Sequence, residues 1–109
     1  MRGIYSKDDY NRKYNQRLKI ETFSHYGIVC SICGLDDIDM LHLDHINDDG
    51  YKERKEIGNG VKMYTHLRRL NWPAGYQVLC ANHNFKKAAL KRRNESWEEW
   101  VREYAEKKH

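Results

Sequence analysis

Apolar and polar residues alternate through Leu41-His42-Leu43-Asp44-His45-Ile46, the pattern of a short half-buried strand. Leu41, Leu43 and His45 fall on one register, His42 and Asp44 on the other. Upstream the period is helical. Tyr10, Tyr14, Leu18 and Thr22 recur every four residues, Phe23 and Tyr26 extend the stripe, and a helix is predicted over about 7–26. Ser6 is its expected cap, Asp8 and Asp9 suit its first turn, and Gly27 ends it. Downstream, residues 47–50 form a turn, Lys52 to Glu56 a charged stretch and Gly58-Asn59-Gly60 a second break. Val61, Tyr64, Leu67 and Leu70 have the spacing of a short helix over about 61–70, which Trp72-Pro73-Ala74-Gly75 stops. Tyr76-Gln77-Val78-Leu79-Cys80 is the second predicted strand. Residues 84–93 favour helix, with Phe85, Ala88 and Ala89 as a small apolar face. Ser96-Trp97-Glu98-Glu99 is a capping box opening a last helix over about 96–107. Its apolar face carries Trp97, Trp100, Val101 and Tyr104, the two tryptophans as core anchors.

These elements make an α+β chain of 109 residues, the length of one domain. So small a core commonly needs a staple such as a metal. Charged residues make up 33% and mean hydropathy is −1.00, yet eight Tyr and three Trp argue against general disorder. The net charge of +4 favours an anionic partner only where the charge clusters. It does so in Lys86, Lys87, Lys91, Arg92 and Arg93. Arg12, Lys13, Arg17 and Lys19 read singly as the solvated face of the first helix. Three cysteines make a closed disulfide framework improbable. The first residues lack a signal-peptide core and no apolar run reaches membrane-spanning length. A soluble, cytoplasmic protein is the expectation, and in a reducing compartment paired cysteines more often hold metal than bridge.

Cys30-Ser31-Ile32-Cys33-Gly34 has the shape of a zinc knuckle, a tight turn aiming two thiolates at one ion. Taken alone, such a pair also reads as buried or redox cysteines. Cys80-Ala81-Asn82-His83 supplies two more ligands at metal spacing, so Cys30, Cys33, Cys80 and His83 complete a tetrahedral set for a structural Zn²⁺. Asp44 and His45 are the candidates for reaction chemistry. A carboxylate can hold a hard divalent cation, and an imidazole can take a proton from water near neutral pH.

The order Cys-x-x-Cys-Gly, Asp-His, strand, Cys-x-x-His-Asn, basic helix resembles the HNH endonucleases, in particular the small stand-alone HNH proteins of bacteriophages. Residues 25–34, 41–50 and 75–88 carry the likeness, which spans about 23–90. The resemblance implies a ββα-metal (His-Me finger) core with a zinc knuckle, flanked by N-terminal and C-terminal helices. It implies that Asp44 and Asn84 bind a catalytic Mg²⁺ or Mn²⁺, that His45 is the general base, and that the helix from Asn84 lies on DNA. Lys86, Lys87, Lys91, Arg92 and Arg93 are then phosphate-backbone contacts, salt-sensitive and poor in sequence readout. His42 shares the register of Asp44 and is an additional ligand candidate. The family's middle Asn is absent where Tyr76 stands, leaving Asn71 as a nearby substitute, and Glu53 occupies a position where relatives often have His. His83 replaces a more usual Cys. The activity so implied is DNA endonuclease or nickase, in the host cytoplasm if phage-encoded, alone, as a homodimer or with a phage partner. A non-catalytic zinc-stabilised DNA-binding module is the principal rival and an RNA-directed nuclease a third reading. The rival has no need of Asp44-His45 beside Asn84.

Overall fold

Two antiparallel strands carry the site. The computed structural model of the protein describes residues 7–47 and 50–108. The expected cap at Ser6, the carboxylates of Asp8 and Asp9, and the Asp48-Asp49 part of the turn lie outside what is described. Helix α1 (Lys7–Tyr26) is followed by a 3₁₀ turn (Ile38–Met40), strand β1 (Leu41–His45), helices α2 (Gly50–Ile57) and α3 (Val61–Arg69), strand β2 (Tyr76–Cys80), and helices α4 (Ala81–Arg92) and α5 (Trp97–Lys108). β1 and β2 pair with Leu41 opposite Cys80 and His45 opposite Tyr76. The alternation along β1 sets the faces: Leu41 and His45 are buried and His42 is exposed.

α1 ends where the periodicity places it. Gly27 sits at φ +109, a left-handed conformation that suits a helix C-terminus. The chain then turns through Cys30 to Gly34, whose N–H donates to the Cys30 carbonyl at 2.8 Å with φ +77. That turn lies on the sheet, because the Ser31 N–H donates to the Val78 carbonyl at 2.9 Å.

Phe23, Cys30, Leu41, Val78, Leu79 and Cys80 form the core, with Tyr26, Ile38, Leu43, Tyr64 and Trp97 packed against it. Only the C-terminal half of the α1 stripe joins in. Leu18, Thr22 and Phe23 are buried, whereas Tyr10 is 61% and Tyr14 39% exposed. α3 buries Met63 and Leu67. Ser96 caps α5 by accepting the Glu99 N–H at 3.1 Å.

Three expectations change. The charged stretch Lys52 to Glu56, for which the sequence pattern predicts no element, is most of α2. α4 begins at Ala81, directly after β2, not at Asn84. Its buried positions are Lys87 and Leu90, while Phe85 is 70% exposed and Ala88 is exposed too, so the apolar face read from Phe85, Ala88 and Ala89 is not the packed one.

Candidate active site and metal centre

The metal centre assembles from three places. Cys30 and Cys33 come from the turn after α1, Cys80 from the end of β2 and His83 from the first turn of α4. Because α4 starts directly after Cys80, His83 returns to the side of the cysteine three residues earlier. The four ligand atoms lie within 4.8 Å of one another. Cys33 Sγ is 3.9 Å from Cys80 Sγ, and His83 Nδ1 is 3.6 Å from Cys30 Sγ and 3.3 Å from Cys80 Sγ. A tetrahedron with Zn–S bonds of about 2.3 Å has edges of about 3.8 Å, so the set fits zinc. Burial pushes the Cys30 thiol up, but N–H donors from Cys33, Cys80 and Ile32 and the His83 ring outweigh it and bring it down to about 6. Burial and the neighbouring sulfurs raise Cys33. α5 covers this centre: Trp100 and Tyr104 stand 5.7 and 5.4 Å from the His83 ring, and Trp97 stacks on Trp100 at 5.5 Å.

A groove of about 610 Å³ runs beside the strands, and Asp44, His45 and Asn84 all line it. β1 supplies the first two and α4 the third. The Asp44 carboxylate is already held. Lys87 Nζ donates to its Oδ2 at 2.6 Å and Gln77 Nε2 donates to the same oxygen at 3.0 Å. The same ammonium donates to the backbone carbonyls of His45 at 2.8 Å and Ile46 at 3.3 Å. A hard divalent ion on Asp44 therefore competes with Lys87 for Oδ2. As arranged, this donor set does not fit such an ion.

His45 is 7% exposed. Its Nε2 lies 2.8 Å from Glu53 Oε1, and Tyr76 Oη donates to that oxygen at 2.7 Å. Its Nδ1 is buried and has no hydrogen-bond partner among the described residues. Burial pushes the Glu53 carboxyl up, but the hydrogen bonds from Tyr76 and His45 and the charge of His45 prevail and hold it below the usual value.

Other expected residues are scattered. Lys87, expected as a DNA contact, is 3% exposed and pairs with Asp44, its position on α4 facing the strand end. Lys86 is half-buried with its ammonium 5.6 Å from the Trp100 ring. Lys91 lines the groove, Arg92 lies over the Phe85 ring and Arg93 pairs with Glu95. All three are exposed. His42 lines the groove, and burial followed by the Lys19 charge pushes its imidazole below the usual value. Asn71, expected as an auxiliary residue, is exposed and outside the groove lining, at φ 61 in the turn that ends α3. Tyr76 does reach the site, through Glu53.

Glu53, and Arg54 in the groove wall, come from α2. The signal that could have found them is propensity, since Lys, Glu and Arg are good helix formers and the run from Lys52 to Glu56 holds nothing else. Among the described residues no helix is long and apolar enough to cross a membrane. Over the described residues the protein is a small α+β fold, five helices and a two-stranded antiparallel sheet, with a Cys₃His cluster that could bind zinc. Compared with protein-family models, with curated proteins and with solved structures, it matches none.

Proposed function

We propose that the chain is an HNH-type DNA endonuclease or nickase in which His45 activates the attacking water, on a fold stapled by zinc at Cys30, Cys33, Cys80 and His83. The observation that carries this reading is that Asp44, His45 and Asn84, drawn from a strand and a helix far apart in sequence, border one groove. A buried imidazole held at one nitrogen and, among the described residues, unpartnered at the other is a suitable proton acceptor. The groove also carries Arg54 and Lys91, cations suited to phosphate.

In hydrolysis the water proton passes to His45, the hydroxide oxygen bonds to phosphorus and the bond to the 3′ oxygen breaks. That oxygen then takes a proton from solvent. The resemblance implies Mg²⁺ or Mn²⁺ on Asp44 and Asn84, but with Lys87 on Asp44 Oδ2 that pair does not fit the ion, and relief of charge at the phosphate falls to the groove cations Arg54 and Lys91. One such site cuts one strand, so a double-strand break takes two visits or two copies.

The test is cleavage of supercoiled plasmid at low salt with EDTA, Mg²⁺, Mn²⁺ or Ni²⁺, the parent beside His45→Ala. Nicking that falls by about 10²–10⁴-fold in the variant is expected. Equal cutting by both removes His45 from the chemistry. The ion pair between Lys87 and Asp44 favours one rival, a non-catalytic zinc-stabilised DNA-binding module, because it already neutralises the carboxylate. Plasmid bound but uncut with every metal would support that rival.

A further inference from the structure

His45 and Tyr76 are register partners at the open end of the two-stranded sheet, their rings 4.8 Å apart. α2 comes over that end and places one carboxylate oxygen, Glu53 Oε1, within 2.8 Å of His45 Nε2 and 2.7 Å of Tyr76 Oη. A carboxylate only accepts, so both neighbours must donate. Nε2 therefore carries a proton, and in the neutral ring the lone pair is left on Nδ1. Nδ1 is the buried nitrogen without a partner among the described residues. An orphaned acceptor of that kind is unfavourable, and the cost is relieved when a donor such as water reaches it.

We infer that Glu53, held by Tyr76, is a positioning residue that locks His45 in the Nε2–H tautomer and so presents Nδ1 to the attacking water. The inference rests on the hydrolytic reading above and adds to it the atom that takes the proton and the element that enforces it. α2 thereby becomes part of the working site, although it contributes no residue to the Asp-His pair or to the metal centre. The negative carboxylate also stabilises the imidazolium once Nδ1 has been protonated, as an aspartate does behind the histidine of a hydrolase triad. Tyr76 holds the same oxygen, so the carboxylate cannot swing away without losing two hydrogen bonds.

The experiment combines single-turnover nicking with ¹⁵N NMR of the imidazole nitrogens, using the parent, Glu53→Gln, Tyr76→Phe and His45→Ala. In the parent, His45 should show a protonated Nε2 and an unprotonated Nδ1. Glu53→Gln should shift it toward Nδ1–H, since the amide can donate to Nε2, and should lower the nicking rate by on the order of 10²–10⁴-fold with DNA affinity unchanged. Tyr76→Phe should lower the rate by less, because the carboxylate still reaches Nε2. An Nδ1–H tautomer in the parent overturns the inference without any variant having to fold. So does Glu53→Gln cutting at the parent's rate while His45→Ala does not cut, and that outcome leaves the nuclease reading standing. Failure of the parent itself to cut strikes the nuclease reading, and the nitrogen shifts still decide whether Glu53 sets the tautomer.

Discussion

Lys87 is the residue whose type and place disagree most. In a basic run it counts as a surface cation, yet it is 3% exposed and its ammonium donates to Asp44 Oδ2 and to two strand-end carbonyls. A buried charge is tolerated only when paired and hydrogen-bonded, and Lys87 is both. Removing one partner of such a pair leaves the other stranded. Lys87→Met should therefore lose about 3 kcal/mol in urea unfolding, and a loss below about 1 kcal/mol would mean that solvent already reaches the pair. Tyr64 offers a second residue-scale test. It packs edge-on against Phe23 at 5.7 Å, and burial raises its phenol above the usual value of 10.0. The folded state resists its ionisation, so its contribution is intact below pH 10.0 and is lost as pH rises through the raised value. Stability of Tyr64→Phe should fall less than that of the parent above that pH in denaturation series. Parallel curves would assign the alkaline loss to other groups.

At the scale of elements, periodicity located β1, α1 and α3, whereas β2 was located by its β-forming residues and buries Val78, Leu79 and Cys80 in a row. Periodicity failed at α2 and in the phase of α4 for one reason. Hydrophobic periodicity counts charged residues as outside, and here Lys87 and the half-buried Glu53 are turned inward by partners on other elements. In α4 the inward face runs through His83, Lys87 and Leu90, spaced i, i+4 and i+7, while the apolar Phe85 points out. Phe85 lines the groove and faces solvent beside Arg92, so its exposure belongs to the groove wall and not to the core.

For the whole molecule the Cys₃His cluster, which could bind zinc, is the proposed staple. The core is a handful of side chains, and the Cys₃His cluster ties the turn after α1 to the β2–α4 junction. Structural zinc in small domains contributes about 10 kcal/mol or more, comparable with the entire stability of a domain. One zinc per chain is expected by elemental analysis, and chelation should abolish the cooperative thermal transition seen by circular dichroism. An unchanged melt in a variant carrying Cys30→Ala and Cys80→Ala would show that the core stands without the metal. α5 shields the same centre, with Trp100 and Tyr104 against His83, so loosening of α5 should accompany metal loss.

The sequence by itself determined the two half-sites Cys30/Cys33 and Cys80/His83, the two strands and the proximity of Asp44 to His45. Each of these depends on spacing within a few residues, which covalent geometry converts directly into position. Only the tertiary structure decided that Lys87 neutralises Asp44, that Glu53 and Tyr76 grip His45, and that Asn71 stays at the surface. Those outcomes depend on the angles at which α2 and α4 meet the sheet. Packing across the whole chain sets such angles, and no local period records them.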